Sequence, residues 1–393
     1  VGFFSLIQSP AYTYFLVCCF HFCFALDDEK SKNKRVFSVQ ISLERLLNVL
    51  DIDGSQKSGS GTILRLSVAL AAILGEPLHI FNIREKRSQP GLRPQHLEAV
   101  LAAARLCNAQ VRGATLGSRE IWFTPSEIRG GAVESEIGTA GSIPMLLLTI
   151  LPMCAYAKRH VSLRVTKGGT DVRNAPTVNY LKHVLLPTLE RMGLRATLAV
   201  QKYGYYPKGM GEIILEVDPC PNLSPICLER FGELQFVKGI SVCTFLADRK
   251  VAERQAAAAE ALLKSAGLAS NIEIVNDTSN PLQKGSSLVL WAETDSGVLL
   301  GGDAIGELGK PSEKVGREAA GNLLKETATE ATVDSHLADM LVPYVALAQG
   351  SSVYLSGFMT EHLDTNIWLA EKILGTKFNV TKVENLYKVE VVK

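Results

Sequence analysis

The residue best suited to covalent chemistry in this sequence is His362, in the stretch MTEHLDTNIW at 359–368. An imidazole titrates near neutrality, so its neutral form is available to attack phosphorus and form a phosphoramidate. The residue follows an apolar stretch, SVYLSGF, that reads as a strand, and it precedes a helix expected to start near Thr365 or Asn366. A histidine at a strand end faces a cleft readily, and Glu361 or Asp364 stands near enough to orient the ring. An ordinary hydrogen-bonded histidine fits the same position. His336 and Asp339 form a second polar pair, three residues apart on one helical turn. The seven histidines make no H-x-x-x-H pattern and no zinc set, so no metalloenzyme follows from them.

Four glycine-bearing stretches are suited to holding phosphate. DGSQKSGSGTILR, 53–65, places Gly54, Gly59 and Gly61 ahead of a helix face carrying Arg65, a turn able to aim amides at an anion. It is neither a P-loop nor a dinucleotide fingerprint. REKRSQPGLRPQH, 84–96, sets Arg84, Lys86, Arg87 and Arg93 against the single acid Glu85, and clustered guanidinium groups grip phosphate oxygens bidentately. Gln95 and His96 close that stretch at a helix start, placed to cap it or to touch a ligand. TKGGTDVRNAP, 166–176, reads either as an anion-facing strand end or as a turn with an Asp171–Arg173 salt bridge. In YYPKGMGE, 205–212, Lys208 between turn residues can face an anion.

The elements that must position these residues alternate. A helix is expected at 63–75, a strand at 77–83, a helix at 94–109 and a strand or hairpin at 114–125, from apolar periodicity and from Gly75 and Pro94 at the ends. The sequence then repeats the theme: a buried helix over 139–158, a strand at 160–170, a helix over 175–193 and a strand pair over 196–217. A third helix begins near residue 335, followed by a strand, a helix over 366–375 and a last strand at 378–384. The turn cluster at 218–225 opens an insertion with strands at 233–245, 271–276 and 287–302 and helices at 249–266 and 311–325. The fold class is α/β: three similar units in a large domain over 36–224 and 331–393, and a smaller inserted α/β domain at 225–330.

With 393 residues, a net charge of +1 and 47% hydrophobic residues, the chain can bury a large core, and no global field draws nucleic acid to it. Any RNA contact must be local. Eight scattered cysteines lack zinc spacing and fit free thiols in a reducing compartment. Residues 1–35 are expected to be an atypical apolar leader and linker, or a gene-model artefact. They lack the basic start of a signal peptide, and Pro10, Gln8 and His21 interrupt the run a membrane span needs. The expected location is cytoplasmic or nuclear, not secreted. A membrane partner is disfavoured and a homo-oligomer is left open.

In order and spacing, DGS…G-x-G…ILR, RSQPGLRPQHL, GGT, YYPKGMGE and HLDTN resemble the RNA 3'-terminal phosphate cyclase family, over about 50–393. The resemblance implies three βαβαββ-type units with a small inserted domain. It implies an enzyme that uses ATP and a divalent cation, Mg or Mn, on RNA ending in a 3'-phosphate. His362 then falls on the nucleophile that becomes adenylylated. Arg65, Pro176, His336 and Asp339 fall on nucleotide-binding positions, with Pro176 and His336 as the two sides of an adenine slot. Arg87, Arg93 and Gln95 fall on phosphate- or terminus-binding positions, and His96 on a supporting one. The chain departs from the family pattern at Ser58, where a glutamate is usual, at Ser60 and Thr62, and at Met340. A serine is a poor ligand for a hard cation, and Asp53 is the acid retained nearby. Two other readings remain: a catalytically weak or inactive relative acting as a binding factor in ribosomal-RNA processing, and an enolpyruvyl-transferase-like enzyme, whose fold also repeats small α/β units.

Overall fold

A computed structural model describes residues 49–393. The expected leader and linker at 1–35, and the approach at 36–48, lie outside the described residues.

Three four-stranded sheets have one topology. The first unit runs β1 (Leu50–Asp53), α1 (Gly61–Leu74), β2 (Leu78–Phe81), α2 (Pro94–Cys107), β3 (Gln110–Arg112) and β4 (Ile121–Thr124). Its sheet order is β1-β2-β4-β3, with β1 and β2 parallel and the other pairs antiparallel. The second unit repeats this with β5 (Gly131–Glu136), α3 (Ile143–Ala155), β6 (Val161–Gly168), a helical passage ending in α4 (Leu186–Arg191), β7 (Ala196–Lys202) and β8 (Gly211–Val217). The order is β5-β6-β8-β7, with the same parallel pair. The third unit starts with β9 (Cys227–Leu228), which runs parallel to a strand more than a hundred residues later.

Between β9 and the rest of the third unit lie β10 (Leu234–Thr244), α5 (Val251–Ser265), β11 (Ser270–Asp277), β12 (Gly285–Thr294), β13 (Leu299–Ile305) and α6 (Ser312–Thr327). Their strands form a separate sheet ordered β11-β10-β12-β13. The third unit resumes with α7 (Ser335–Leu347), β14 (Ser352–Ser356), α8 (Glu361–Leu374), β15 (Lys377–Val383) and β16 (Leu386–Val392), in the order β9-β14-β16-β15. Buried apolar side chains from all four sheets, Ile52 to Val391, join in one cluster. No helix among the described residues is long and apolar enough to cross a membrane.

Local chemistry sets the helix ends that matter for the site. Ser60 caps α1 through its hydroxyl, and Gly75 ends it in the left-handed region at φ 74°. Pro94 opens α2. Thr360 caps α8, so that helix starts at Glu361 rather than near Thr365, and His362 is its second residue rather than the end of a strand. Glu361 and Asp364 in the first turn favour this longer start, because carboxylates suit the positive end of a helix.

Other expectations shift. The helix expected over 175–193 begins at Val178 and passes through a π-helical turn, Leu181–Leu185, before α4. The strand expected at 287–302 is two antiparallel strands, β12 and β13, turning at Gly297. A final strand, β16, follows the one expected last. Residues 227–228, grouped with the insertion in the sequence, pair with Val353 and Tyr354 of the third sheet.

Candidate active site

His362 opens into a cleft of about 1020 Å³. Its floor and near wall come from α1 (Thr62, Arg65), α7 (His336, Asp339, Met340) and α8 (His362, Asn366), with the 172–176 loop and Pro176 beside them. The far wall is the 303–318 segment of the inserted part. Five of the nine sequence-derived site residues therefore meet here: Arg65, Pro176, His336, Asp339 and His362.

Thr360 Oγ1 accepts from the Leu363 amide at 2.9 Å and donates to Asp339 Oδ1 at 2.5 Å. The Asp364 amide turns back to Thr360 O. The amides of Glu361 and His362 thus have no protein acceptor among the described residues, and they sit at the positive end of a 14-residue helix, a setting that favours phosphate.

The His362 ring is exposed to the cleft, yet the protein crowds it. Desolvation, then the charges of Arg65 and Arg87, hold its pKa below the ordinary 6.5. The imidazole is therefore neutral at pH 7, with a lone pair free to attack. Neither carboxylate expected to orient the ring does so. Asp364 pairs with Lys57 at 3.0 Å, and Glu361 makes no hydrogen bond to the ring.

The 53–62 loop is fastened to α8 at three successive residues. Lys57 pairs with Asp364, the Ser58 amide donates to Thr365 Oγ1 at 3.2 Å, and Thr62 Oγ1 donates to Asn366 Oδ1 at 3.2 Å. Asn366 Nδ2 in turn donates to the Asp339 carbonyl at 2.8 Å. Thr62 and Ser58, two of the four departures from the family pattern, are both in this fastening, Thr62 through its hydroxyl and Ser58 through its backbone amide. Gly61 is needed for space: a Cβ there would stand 2.2 Å from His96 Nε2 and 2.9 Å from Arg65 Nη1.

Arg65 links the cleft to the second cluster. It has no ion-pair partner among the described residues, and burial, then Arg84, pulls its pKa down to about 10. It remains charged at neutral pH. His96 is buried behind Gly61, and its Nδ1 has no partner. Burial, then Arg65, Arg84 and Arg93, drives its pKa to about 2, so it is a neutral spacer.

Arg87 and Arg93 are exposed, and neither has an ion-pair partner among the described residues. Gln95 Oε1 accepts from the Ser142 amide at 2.7 Å, which joins α2 to the N-cap of α3. Arg87, Arg93, Gln95 and His96 do not line the cleft. Arg84, counted with the surface patch in the sequence, turns inward to the carbonyls of Gln89 and Gly91 and braces the loop. The alternative Asp171–Arg173 salt bridge does not form. Asp171 is buried and accepts from Thr170 Oγ1 and the Val178 amide, while Arg173 pairs with Glu307 across the cleft. Burial raises Asp171 to about 7.

His336 stands edge-on to Tyr180, ring centroids 5.9 Å apart. Asp339, largely enclosed, is likewise raised to about 7 by burial, against the pull of the Thr360 hydroxyl and His336. Asp334 was not singled out in the sequence. It accepts from the His336 and Leu337 amides, from Tyr180 Oη at 2.6 Å and from the Gly301 amide at 2.8 Å. Its place just before an apolar helix was the available sign of a cap. Asn366 carried no comparable sign.

No group of three or more His, Cys, Asp or Glu side chains among the described residues could hold a metal ion. Asp53 is committed to the Ser55 amide, Gln56 and Asn82, which together hold its pKa near 2 despite the opposing effect of burial. The residues present do not fit a protein-built cation cage.

The fold and the cleft define a class: an α/β enzyme of three like units, with a histidine and an arginine at the floor of one deep pocket. The profile of a family described as "RNA 3'-terminal phosphate cyclase" matches residues 56–380. An RNA 3'-terminal phosphate cyclase of Pyrococcus furiosus is 46% identical over 329 residues, covering 84% of this chain and 94% of that protein. Those of Pyrobaculum neutrophilum and Methanosarcina acetivorans are 44% and 41% identical and cover 97% and 100% of their own lengths. This chain belongs to the RNA 3'-terminal phosphate cyclase family.

Proposed function

We propose that this protein converts an RNA 3'-terminal phosphate to a 2',3'-cyclic phosphate at the expense of ATP, with His362 as the residue that carries AMP. The observation that carries the reading is a neutral His362 beside unpaired Arg65 at the floor of the cleft. The imidazole nitrogen attacks the α-phosphorus of ATP, the bond to the β-phosphate oxygen breaks, and diphosphate leaves. An oxygen of the RNA 3'-phosphate then attacks the same phosphorus and displaces His362, giving RNA-(3')pp(5')A. The 2'-hydroxyl attacks the 3'-phosphorus, gives up its proton and expels AMP. Phosphate monoesters are poor electrophiles, and the adenylyl group supplies the leaving group.

The chain's contribution is alignment and charge. Arg65 and the amides at the start of α8 oppose charge growing on the α-phosphate. Pro176 and His336 flank the adenine, with Asp339 near the adenosine. Arg87, Arg93 and Gln95 hold the RNA end, with His96 buried behind them. The divalent cation, Mg or Mn, arrives with the triphosphate, whose oxygens suit a hard ion.

The test is covalent labelling. The purified protein and His362→Ala are incubated with α-labelled ATP and Mg or Mn, then resolved under denaturing conditions. Acid-labile label on the parent, and none on the variant, is expected. Labelling should be lost at a lower pH than for an ordinary imidazole, because burial and the charges of Arg65 and Arg87 lower the pKa of the ring. No label from folded protein with either cation would replace this reading with a binding role in ribosomal-RNA processing, and Ser58 would be the first suspect.

A further inference from the structure

A loop outside the cleft carries an aromatic ring on a braced frame. Tyr205 is buried, its ring against Gly285 and its hydroxyl accepting from Thr244 Oγ1 at 3.3 Å. The next residue, Tyr206, is 80% exposed. The loop between them and Gly209 cannot move freely. The Gly209 amide donates to Tyr205 O at 2.7 Å, and the Lys208 amide to Gln283 Oε1 at 3.2 Å. Gln283 Nε2 donates to Tyr206 O at 3.0 Å, and buried Asn280 donates to the carbonyls of Tyr203 and Gly209.

Lys208, on this loop, and Lys284, beside Gln283, are both exposed and have no ion-pair partner among the described residues. Other cations nearby are committed: Lys202 to Glu212 and Lys167 to Glu136. The exposed Tyr206 ring therefore sits on a braced loop that also carries Lys208, and both are tied to Gln283, the neighbour of Lys284.

We propose that Tyr206, Lys208 and Lys284 form a docking platform for single-stranded RNA upstream of its 3' end. A base stacks on Tyr206, and backbone phosphates lie on the two lysines. This rests on the cyclase reading for the identity of the RNA end. Stacking on an aromatic ring is tolerant of sequence, because every base has a π-face. Local lysines supply the attraction that a chain of net charge +1 lacks as a whole.

The platform is continuous with the residues assigned to the RNA end. A Cβ on Gly209 would stand 2.7 Å from Thr139 O, and one on Gly141 2.9 Å from Gln95 Cβ. From Gln95 to Tyr206 the backbone path therefore runs through close contacts at Gly141 and Gly209.

The test measures anisotropy of labelled RNA ending in a 3'-phosphate, with the whole protein. One RNA has about 12 nucleotides, within the span of common single-strand sites, and the other is a dinucleotide. Tyr206→Ala should weaken binding of the longer RNA about tenfold and leave the dinucleotide unchanged. Tyr206→Phe should bind as the parent does. Lys208→Ala and Lys284→Ala should each flatten the salt dependence. His362 labelling by ATP should be unaltered in all four, which also shows that they are folded. Unchanged affinity of Tyr206→Ala for the longer RNA, or equal losses for both RNAs, overturns the platform. If the parent takes no label from ATP while Tyr206→Ala still loses the longer RNA, the cyclase reading falls and the platform stands.

Discussion

Two clefts in this molecule are lined by charge, and they use it in opposite ways. The one at His362 has, on its floor, an arginine with no carboxylate partner among the described residues. The other, about 610 Å³, lies between α2 and the second sheet and is lined by Glu98, Arg105, Glu136, Arg164, Lys167, Lys202 and Glu212 among others. There every cation is taken: Arg105 by Glu98, Arg164 and Lys202 by Glu212, Lys167 by Glu136. Even within the first cleft, most charges on the wall from the insertion are matched, Glu307 with Arg173 from the facing loop and Lys310 with Glu318, which leaves Lys314 there without an ion-pair partner among the described residues. A half-buried cation left unpaired is costly in the folded state, so its retention points to a ligand that completes it. Matched pairs on an open sheet face need no ligand.

Arg65→Ala gives the largest expected effect on this contrast. The labelling rate of His362 should fall about 100-fold or more, the usual consequence of removing one preorganised donor. Arg65→Lys should recover little of it, because an ammonium does not reproduce the planar fork. A fall of less than about threefold would leave Arg65 a structural residue and erase the distinction between the clefts.

Burial of acids should show in stability against pH. Asp171, raised from 3.8 to about 7, stabilises the fold fully only below its unfolded pKa, and that contribution is lost as pH rises through about 7. A three-unit rise bounds the effect at about 4 kcal/mol. Thermal melting of the parent should therefore decline from pH 5 to 8, and Asp171→Asn should decline less. Parallel profiles would assign the titration elsewhere. The smallest effect is expected in the second cleft. Arg164→Ala should barely lower the melting temperature, because the guanidinium is exposed to solvent and Lys202 still pairs Glu212, and should leave labelling unchanged. A large loss of labelling there would break the comparison.

The sequence was most legible where a signal is local. The α1 helix and its Gly75 end, the Pro94 start and the β7–β8 hairpin all follow from patterns a few residues long, whereas the Ser60 cap put the start of α1 two residues ahead of the expected one. The inserted sheet was readable as a module because its Ala-rich helix and turn cluster mark it off. What was hidden depends on contacts across hundreds of positions. Nothing local to Lys57, Ser58 or Thr62 says that each meets a successive residue of α8, and nothing local to Asp334 points to Gly301. The start of α8 was misplaced because a polar stretch was read as loop, although Thr360 and two first-turn acids marked a helix. Five residues identified by family likeness meet in the cleft, whereas Arg87 and Arg93 are exposed outside it, Gln95 is tied to the N-cap of α3 and His96 is buried behind Gly61.

The position of the insertion has a consequence for how such a chain can change. It interrupts the third unit between its first strand and first helix. The matching junction in the first unit is the loop fastened to α8, and in the second it is the short turn that Gln95 holds. One architectural joint thus serves as clamp, spacer and graft site. A joint that runs from a strand to a helix can be lengthened without shifting the register of one strand of the sheet on another. Foreign segments offered to this scaffold are therefore best placed at the second unit's copy of that joint only if Gln95 is spared, whereas the third copy already tolerates about a hundred residues, from Leu234 to Thr327.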